Sequence, residues 1–308
     1  MSDAPIGVTL VICTYDRRDS LSQTLDTVAT QRCGLPWEVL VVDNGSSDGT
    51  LGMVAERTPR FPAPLRAERE AQRGRSFALN RAIRVARGSI LVFTDDDVNL
   101  RPGFLAAHTA IYADPAVAGG GGRILPILPE NTPKWLIEML GERNGGLAGR
   151  YDFGDTPHEI DRASGMPLPF GANLSVRTSV VRELGGFRTD LGWGRVLVPG
   201  EENELFERVR ATGGRIVYQP EAVVEHRLQP SKATLEYLLQ YETGYGRSVV
   251  LMADVGPARR VRWACRSLLD LLRYGARAAF GPREMSVRAE NLKRRARARG
   301  SLAQLLGL

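Results

Sequence analysis

Ser89-Ile90-Leu91-Val92-Phe93-Thr94 carries six residues without polar alternation and runs straight into Asp95-Asp96-Asp97. A strand with no polar face is one buried on both sides, the habit of a parallel sheet covered by helices. Two earlier stretches read the same way. Val8-Thr9-Leu10-Val11-Ile12-Cys13 leads into Thr14-Tyr15-Asp16-Arg17-Arg18. Glu38-Val39-Leu40-Val41-Val42-Asp43 leads into Asn44-Gly45-Ser46-Ser47-Asp48-Gly49, dense in turn formers and helix N-caps. Helix-period segments lie between them: 19–30 with Leu21, Leu25 and Val28 on one face, then 50–57, then 76–87. Such alternation specifies an α/β fold, a mostly parallel sheet flanked by helices. Ligands bind such sheets beyond the carboxyl ends of the strands. Tyr15/Asp16, Asp43/Asn44 and Asp95/Asp96/Asp97 are therefore expected to converge on one crevice.

From about Arg123 to Pro169 the pattern breaks down, with prolines at 126, 129, 133, 157, 167 and 169 and room for little more than a helix over 134–141. A long irregular segment inside a compact domain is typically a lid or binding loop. Order returns with a strand at 173–176, a helix over 178–184 stopped by Gly185-Gly186, a helix over 202–212, and strands at 215–218 and 222–226. Gly119–Gly122 lacks the spacing and the helix start of a phosphate loop.

Three consecutive carboxylates raise one another's pKa unless a cation neutralises them. Mg²⁺ or Mn²⁺, with oxygen ligands and open positions for phosphate oxygens, suits such a site. If the strand continues, Asp95 and Asp97 share one side. Glu201-Glu202 opens a helix after Val198-Pro199-Gly200. One reading is capping, since a carboxylate is stabilised by the helix dipole there; the other is a base for an attacking hydroxyl. His226, at the end of an apolar strand, reads either as a hydrogen-bonded structural residue or as a further ligand of the Asp cluster. Trp135, Trp193 and Tyr151 lie in or beside irregular segments, where aromatic rings either stack on the apolar face of a sugar or fill a core.

These residues, in their order, resemble family 2 glycosyltransferases of the GT-A fold. The resemblance rests on Val11-Ile12-Cys13-Thr14-Tyr15-Asp16-Arg17, Val41–Asp48, Leu91–Val98 and Gly185-Gly186-Phe187, with Gly200-Glu201-Glu202 and His226 following at the expected places. It covers about residues 6–230. It implies inverting transfer of a sugar from a nucleotide-diphosphate donor, most simply a UDP-sugar, to a saccharide or lipid-linked acceptor hydroxyl. A divalent metal (Mn²⁺ or Mg²⁺) would bridge the diphosphate. Surface polysaccharide or glycolipid synthesis is the implied setting. By the resemblance, Thr14, Tyr15, Asp43 and Asn44 hold the nucleoside, Arg75 faces the base or phosphates, and Asp96 sits next to the donor. Asp95 contacts ribose or metal, Asp97 ligates the metal, and His226 adds a metal or diphosphate contact. Glu202 stands where the family's base sits, with Glu201 the alternative. Trp135, Trp193 and Tyr151 are candidates for the acceptor. Two departures are Cys13 where many members have Pro, and Glu202 where Asp is commoner. A sugar-phosphate nucleotidylyltransferase is the alternative of similar fold, but its usual Gly-rich basic opening is absent from 7–18. A nucleotide-sugar-binding, membrane-associated protein without catalysis is the other.

Composition bounds the rest. The 308 residues are 43% hydrophobic and 25% charged, which argues against disorder, and the three scattered cysteines against a disulfide framework. No apolar run reaches the roughly 20 residues of a membrane span, and no secretory signal is seen at the N-terminus. The net charge of +6 conceals a division: residues 257–308 hold 13 Lys/Arg against three Asp/Glu, leaving the other residues at −4. Arg262, Arg266, Arg273 and Arg277 fall on one helical face, with Val261, Cys265, Leu268, Leu272 and Ala279 expected opposite. Such a helix either lies on an anionic membrane surface or packs on its own domain. No nucleic-acid partner is expected. The expected organisation is a catalytic domain over 1–230, with a nucleotide-sugar half to about 120, an acceptor half over 121–230 and a lid at 123–169. A helical basic extension follows over 231–308. The protein is expected to be cytoplasmic, on the inner face of the cell membrane where it is peripheral.

Overall fold

A computed structural model of the protein describes residues 5–140, 149–194, 197–253 and 256–308. In chain order the elements begin β1 (Val8–Thr14), α1 (Arg18–Ala29), β2 (Trp37–Asp43), α2 (Thr50–Arg57), β3 (Leu65–Arg69) and α3 (Arg75–Val85). They continue with β4 (Ile90–Thr94), β5 (Val98–Leu100), α4 (Phe104–Ala110), β6 (Val117–Ile127), α5 (Lys134–Leu140), β7 (His158–Glu159) and β8 (Asn173–Arg177). Then come α6 (Thr178–Glu183), β9 (Gly192–Trp193), β10 (Leu197–Val198), α7 (Glu201–Ala211) and β11 (Arg215–Arg227). The chain closes with α8 (Leu235–Met252), α9 (Pro257–Phe280) and α10 (Met285–Leu306).

Two compact units emerge. One draws on residues within 1–127, 149–189 and 201–227, the other on residues within 128–148, 190–200 and 228–308. The boundary expected at 230 thus falls between Arg227 and Leu228. Parts of the expected lid and the stretch around β9 and β10 cluster with the C-terminal helices instead of the sheet. The reason is packing: Leu136 shares a small apolar cluster with Leu228, Ala233 and Leu238.

The first unit is the expected α/β fold. Its sheet has the order β3-β2-β1-β4-β8-β6-β11-β5, with β7 added on β11. The strands β3, β2, β1 and β4 are parallel, and the registers pair Thr14 with Asp43 and Ile12 with Thr94. β1 and β2 therefore end level and β4 stops two residues short of them, which brings the polar ends of all three together. The cores of β1, β2 and β4 are buried on both faces, as their unbroken apolar sequence demands. Strand β6, extending to Ile127, was concealed by the glycine run. The run is there for close packing: a Cβ on Gly122 would lie 2.0 Å from the carbonyl oxygen of Ala222, and one on Gly120 2.4 Å from Ile111. The two strands expected at 215–218 and 222–226 are one strand, β11. Its register shifts between Gln219 and Val223, around Pro220, which has no N–H to give the ladder.

In the second unit, α8 and α10 approach closely at small residues. A Cβ on Gly246 would meet the Arg297 carbonyl at 2.0 Å, and one on Gly300 the Thr243 carbonyl at 1.8 Å. Glu242, buried in α8, accepts from Arg297 at 2.7 Å. Helix α9 packs on α10 with neither of its expected faces. It uses a third, carrying Ser267, Tyr274 and Gly275. Leu268, Leu269 and Leu272 of α9 stay exposed, and their sector adjoins that of the arginines instead of lying opposite it. Among the described residues, no helix is long and apolar enough to cross a membrane.

Candidate active site

The carboxyl ends of β1, β2 and β4 meet as the alternation predicts, and side chains stitch their loops together. The Asp16 carboxylate accepts from the Ser47 N–H at 2.7 Å, the Asp16 N–H donates to Ser46 Oγ at 2.9 Å, and the Arg18 N–H donates to Asp48 at 2.8 Å. Asp16 reaches this geometry at φ +47°, a left-handed conformation that Asp tolerates better than most residues. Asp43, fully buried, accepts from the Ser46 N–H at 3.1 Å. The Asn44 side chain accepts from the Gly74 N–H at 2.8 Å and donates to the Gln72 carbonyl at 2.6 Å. Its amide pins the segment 70–74. That segment supplies Arg73, whose guanidinium carbon lies 3.4 Å from the centroid of the half-exposed Tyr15 ring. Arg73 escaped the sequence reading because nothing local marks it; the Asn44 tether puts it there.

The three aspartates have three environments. Asp96 is turned inward and 5% exposed, with Oδ2 bonded to the Thr14 hydroxyl at 2.7 Å and Oδ1 to Arg17 at 2.8 Å. Asp96 and Thr14, both expected at the donor, engage each other in the interior. Asp97 shares the same arginine, Oδ2 at 2.7 Å from Arg17, and its Oδ1 faces His226 Nε2 at 3.3 Å. Asp95 is the more open of the three and pairs with Arg75 at 2.6 Å. The ligand atoms of Asp95, Asp97 and His226 all lie within 4.8 Å of one another. The topology explains this. Immediately after the aspartates the chain enters β5, which pairs antiparallel with β11 so that Val98 opposes His226, and the Arg227 N–H donates to the Asp97 carbonyl at 2.8 Å.

Neutralisation of the cluster is therefore shared. Arg17, read from sequence only as a turn residue, bridges Asp96 and Asp97, and these anions hold its guanidinium above its ordinary pKa despite burial. Burial pushes the Asp96 carboxyl up to about 6, with Arg17 opposing. Two carboxylate oxygens and one imidazole nitrogen at this spacing form a donor set that Mn²⁺ or Mg²⁺ accepts, and they fit such an ion.

Arg75, the first residue of α3, links this cluster to α7. It lies against Gly171, where a Cβ would fall 2.6 Å from its Nη2, and its Nη1 is 3.6 Å from Glu201 Oε1. Gly171, like Arg17, carries no signal in isolation. Arg75, Leu79, Phe93, Phe187 and Glu202 line one narrow cleft. Asn80 fixes Phe187 through both its backbone N–H and carbonyl, each at 2.8 Å, and Phe187 meets Phe93 edge-on. Burial, then the Glu201 charge, pushes the Glu202 carboxyl up to about 8, with Arg75 opposing. Among the described residues, Glu202 Oε2 is buried without a hydrogen-bond partner.

The three aromatic candidates differ in their settings. Tyr151 is 1% exposed, packed edge-on against Phe153 and Phe170, and its hydroxyl donates to the Pro167 carbonyl at 2.7 Å. It fills the core, which corrects the expectation of acceptor contact. Trp135 is half-buried against the apolar cluster of the second unit. Trp193 has its backbone in β9, and its side chain lies outside the described residues.

Comparison with known proteins agrees with this geometry. The pattern described as glycosyl transferase family 2 matches residues 9–170, more than half of the chain. The glucosyl-dolichyl phosphate glucuronosyltransferase of Haloferax volcanii is 24% identical over 250 residues, covering 79% of this chain and 77% of that protein. The validoxylamine A glucosyltransferase of Streptomyces hygroscopicus subsp. jinggangensis is 30% identical over 226 residues, 67% of this chain and 52% of that one. Among solved structures, the mannosyltransferase PcManGT from Pyrobaculum calidifontis, in complex with GDP-Man and Mn²⁺, superposes with a TM-score of 0.57 at 20% identity, over 99% of this chain and 75% of its own. The chain belongs to glycosyl transferase family 2, has the GT-A fold, and is a glycosyltransferase.

Proposed function

We propose that this enzyme moves a sugar, with inversion, from a nucleoside-diphosphate donor to a hydroxyl of a lipid-linked or other saccharide acceptor. UDP-sugars are the first donors to test. The carrying observation is the convergence of Asp95, Asp97 and His226 at the strand ends where Tyr15 is exposed. A lipid-linked acceptor is supported by the Haloferax relative, whose name specifies a glucosyl-dolichyl phosphate. The setting is surface polysaccharide or glycolipid synthesis on the cytoplasmic side, with an anionic membrane as the partner of residues 257–308.

Asp95, Asp97 and His226 would hold a divalent cation, which when bound neutralises the charge developing on the departing diphosphate. Tyr15, with Arg73 behind it, offers a stacking platform for the base. Glu202 accepts the proton of the acceptor hydroxyl. The hydroxyl oxygen bonds to the anomeric carbon as the bond from that carbon to the phosphate oxygen breaks, and the electron pair leaves with the nucleoside diphosphate. The proximity of Glu201 to Arg75 supports Glu202 over Glu201 as the base. A positioned base contributes on the order of 10² to 10⁴ in rate.

The test begins with thermal stabilisation by UDP-, GDP- and dTDP-sugars in the presence of Mn²⁺, then transfer assays with the donor found. Glu202→Gln should retain donor stabilisation and lose transfer by about 10² or more. Asp97→Ala should lose the Mn²⁺-dependent part of both. Full transfer by Glu202→Gln rejects the base; donor stabilisation indifferent to Asp97→Ala rejects the ion site.

A further inference from the structure

The second unit leaves one face of α9 unpartnered. Val261 is 64% exposed, Leu268 51%, Leu269 67%, Leu272 66% and Phe280 91%, in a helix whose buried side is turned to α10. At 100° per residue these side chains fall in one sector about 120° wide. The neighbouring sector carries Arg262, Arg266, Arg273 and Arg277, every one exposed. The 24-residue helix therefore presents an apolar stripe with a cationic border along about 36 Å of its length. A soluble surface rarely leaves so continuous a row of large apolar side chains bare.

We infer that this face of α9 is an in-plane docking surface for an anionic lipid bilayer, with the apolar stripe in the acyl boundary and the arginines at the headgroups. The inference gives residues and an orientation to the membrane partner of the proposed function, and it stands independently of the glycosyl-transfer chemistry. Charge complementarity selects the occupant. A second copy of the chain docking through the same stripe would bring the arginine border of one helix against that of the other, whereas anionic headgroups neutralise it. The same sign extends beyond α9, since residues 257–308 carry a balance of +10. Each arginine held near an anionic surface multiplies partitioning about fivefold, and each leucine buried in the acyl boundary about tenfold or more. Arg273 and Arg277 also lie within 6 Å of the Tyr274 ring, on the side toward α10, so the cationic border is tied to the packed face.

The test uses the full chain and vesicles of phosphatidylcholine with or without about one-third phosphatidylglycerol, read by flotation. The wild type should float with the anionic vesicles, and less so with neutral ones or at high salt. Leu268→Glu/Leu272→Glu should lower partitioning at least about tenfold, and Arg262→Gln/Arg266→Gln should lower it only on anionic vesicles. Both pairs are exposed, so circular dichroism and stabilisation by a nucleotide-sugar should match the wild type. Equal flotation of Leu268→Glu/Leu272→Glu overturns the proposal, as does a wild-type dimer in light scattering that those changes dissolve without any vesicle binding. Loss of flotation with donor stabilisation intact supports it, while flotation without donor stabilisation counts against the transfer reading alone.

Discussion

The crevice of the first unit and helix α9 of the second are both rich in charge, yet they treat it oppositely. In the crevice, Asp96 and Asp97 are almost wholly buried and Arg17 lies between them, while Arg75 sits between Asp95 and Glu201. Along α9, arginines point to solvent beside leucines that also point to solvent. A buried charge must be matched inside the protein because desolvation is costly. An exposed one need not be matched until a partner arrives. Internal pairing thus keeps charge satisfied within the fold, and its absence leaves charge for another body to meet.

Breaking the internal pairing should produce the largest effect. Arg17→Ala leaves Asp96 and Asp97 without their shared guanidinium, and removing one partner of a buried pair costs roughly 3–5 kcal/mol. Urea unfolding should show that loss, and saturating Mn²⁺ should recover part of it by supplying positive charge to Asp97. An unchanged midpoint would mean the aspartates do not depend on Arg17.

A smaller effect, and a sharper probe of the crevice, is pH. A base must be ionised to accept a proton, and the Glu202 carboxyl lies at about 8. Transfer should therefore rise roughly tenfold per pH unit below that value and level off above it. The stripe on α9, whose cations are arginines, should bind vesicles equally across the same range. A transfer rate flat from pH 6 to 9 would remove Glu202 from the reaction.

The smallest expected change tests the platform. Arg73→Ala removes a cation–π contact worth about 0.5–1 kcal/mol at an exposed site. Donor affinity should weaken about two- to fivefold, with the maximal rate kept. A collapse in rate instead would show that Arg73 acts on the reacting groups.

Most of the first unit was legible along the chain because unbroken apolar runs identify buried strands, and turn formers mark where those strands stop. β1, β2 and β4 and the helices α1, α2 and α3 between them followed from that pattern alone. Strand β6 did not, because its glycines report what its neighbours need: space for the Ala222 carbonyl and for Ile111. Arg17 and Arg73 were missed for a related reason. A basic residue in a turn looks the same whether it meets water, a carboxylate or an aromatic ring. Tyr151 erred in the other direction, since an aromatic residue in a proline-rich segment gives no sign of the Phe153, Phe170 and Tyr218 rings that enclose it.

The positions of β1, β2 and β4, the polar residues at their ends and the concentration of cations in the last 52 residues are properties of local sequence, so periodicity and composition reveal them. Which aspartate turns inward, which histidine joins the other two, and which side of α9 stays bare depend on contacts between residues far apart in the chain. His226 meets Asp97 because β5 pairs with β11. Leu268, Leu269 and Leu272 of α9 remain exposed because a different face of that helix packs on α10. Pairing and packing are decided by the whole set of surfaces competing for burial, and no stretch of sequence contains that competition.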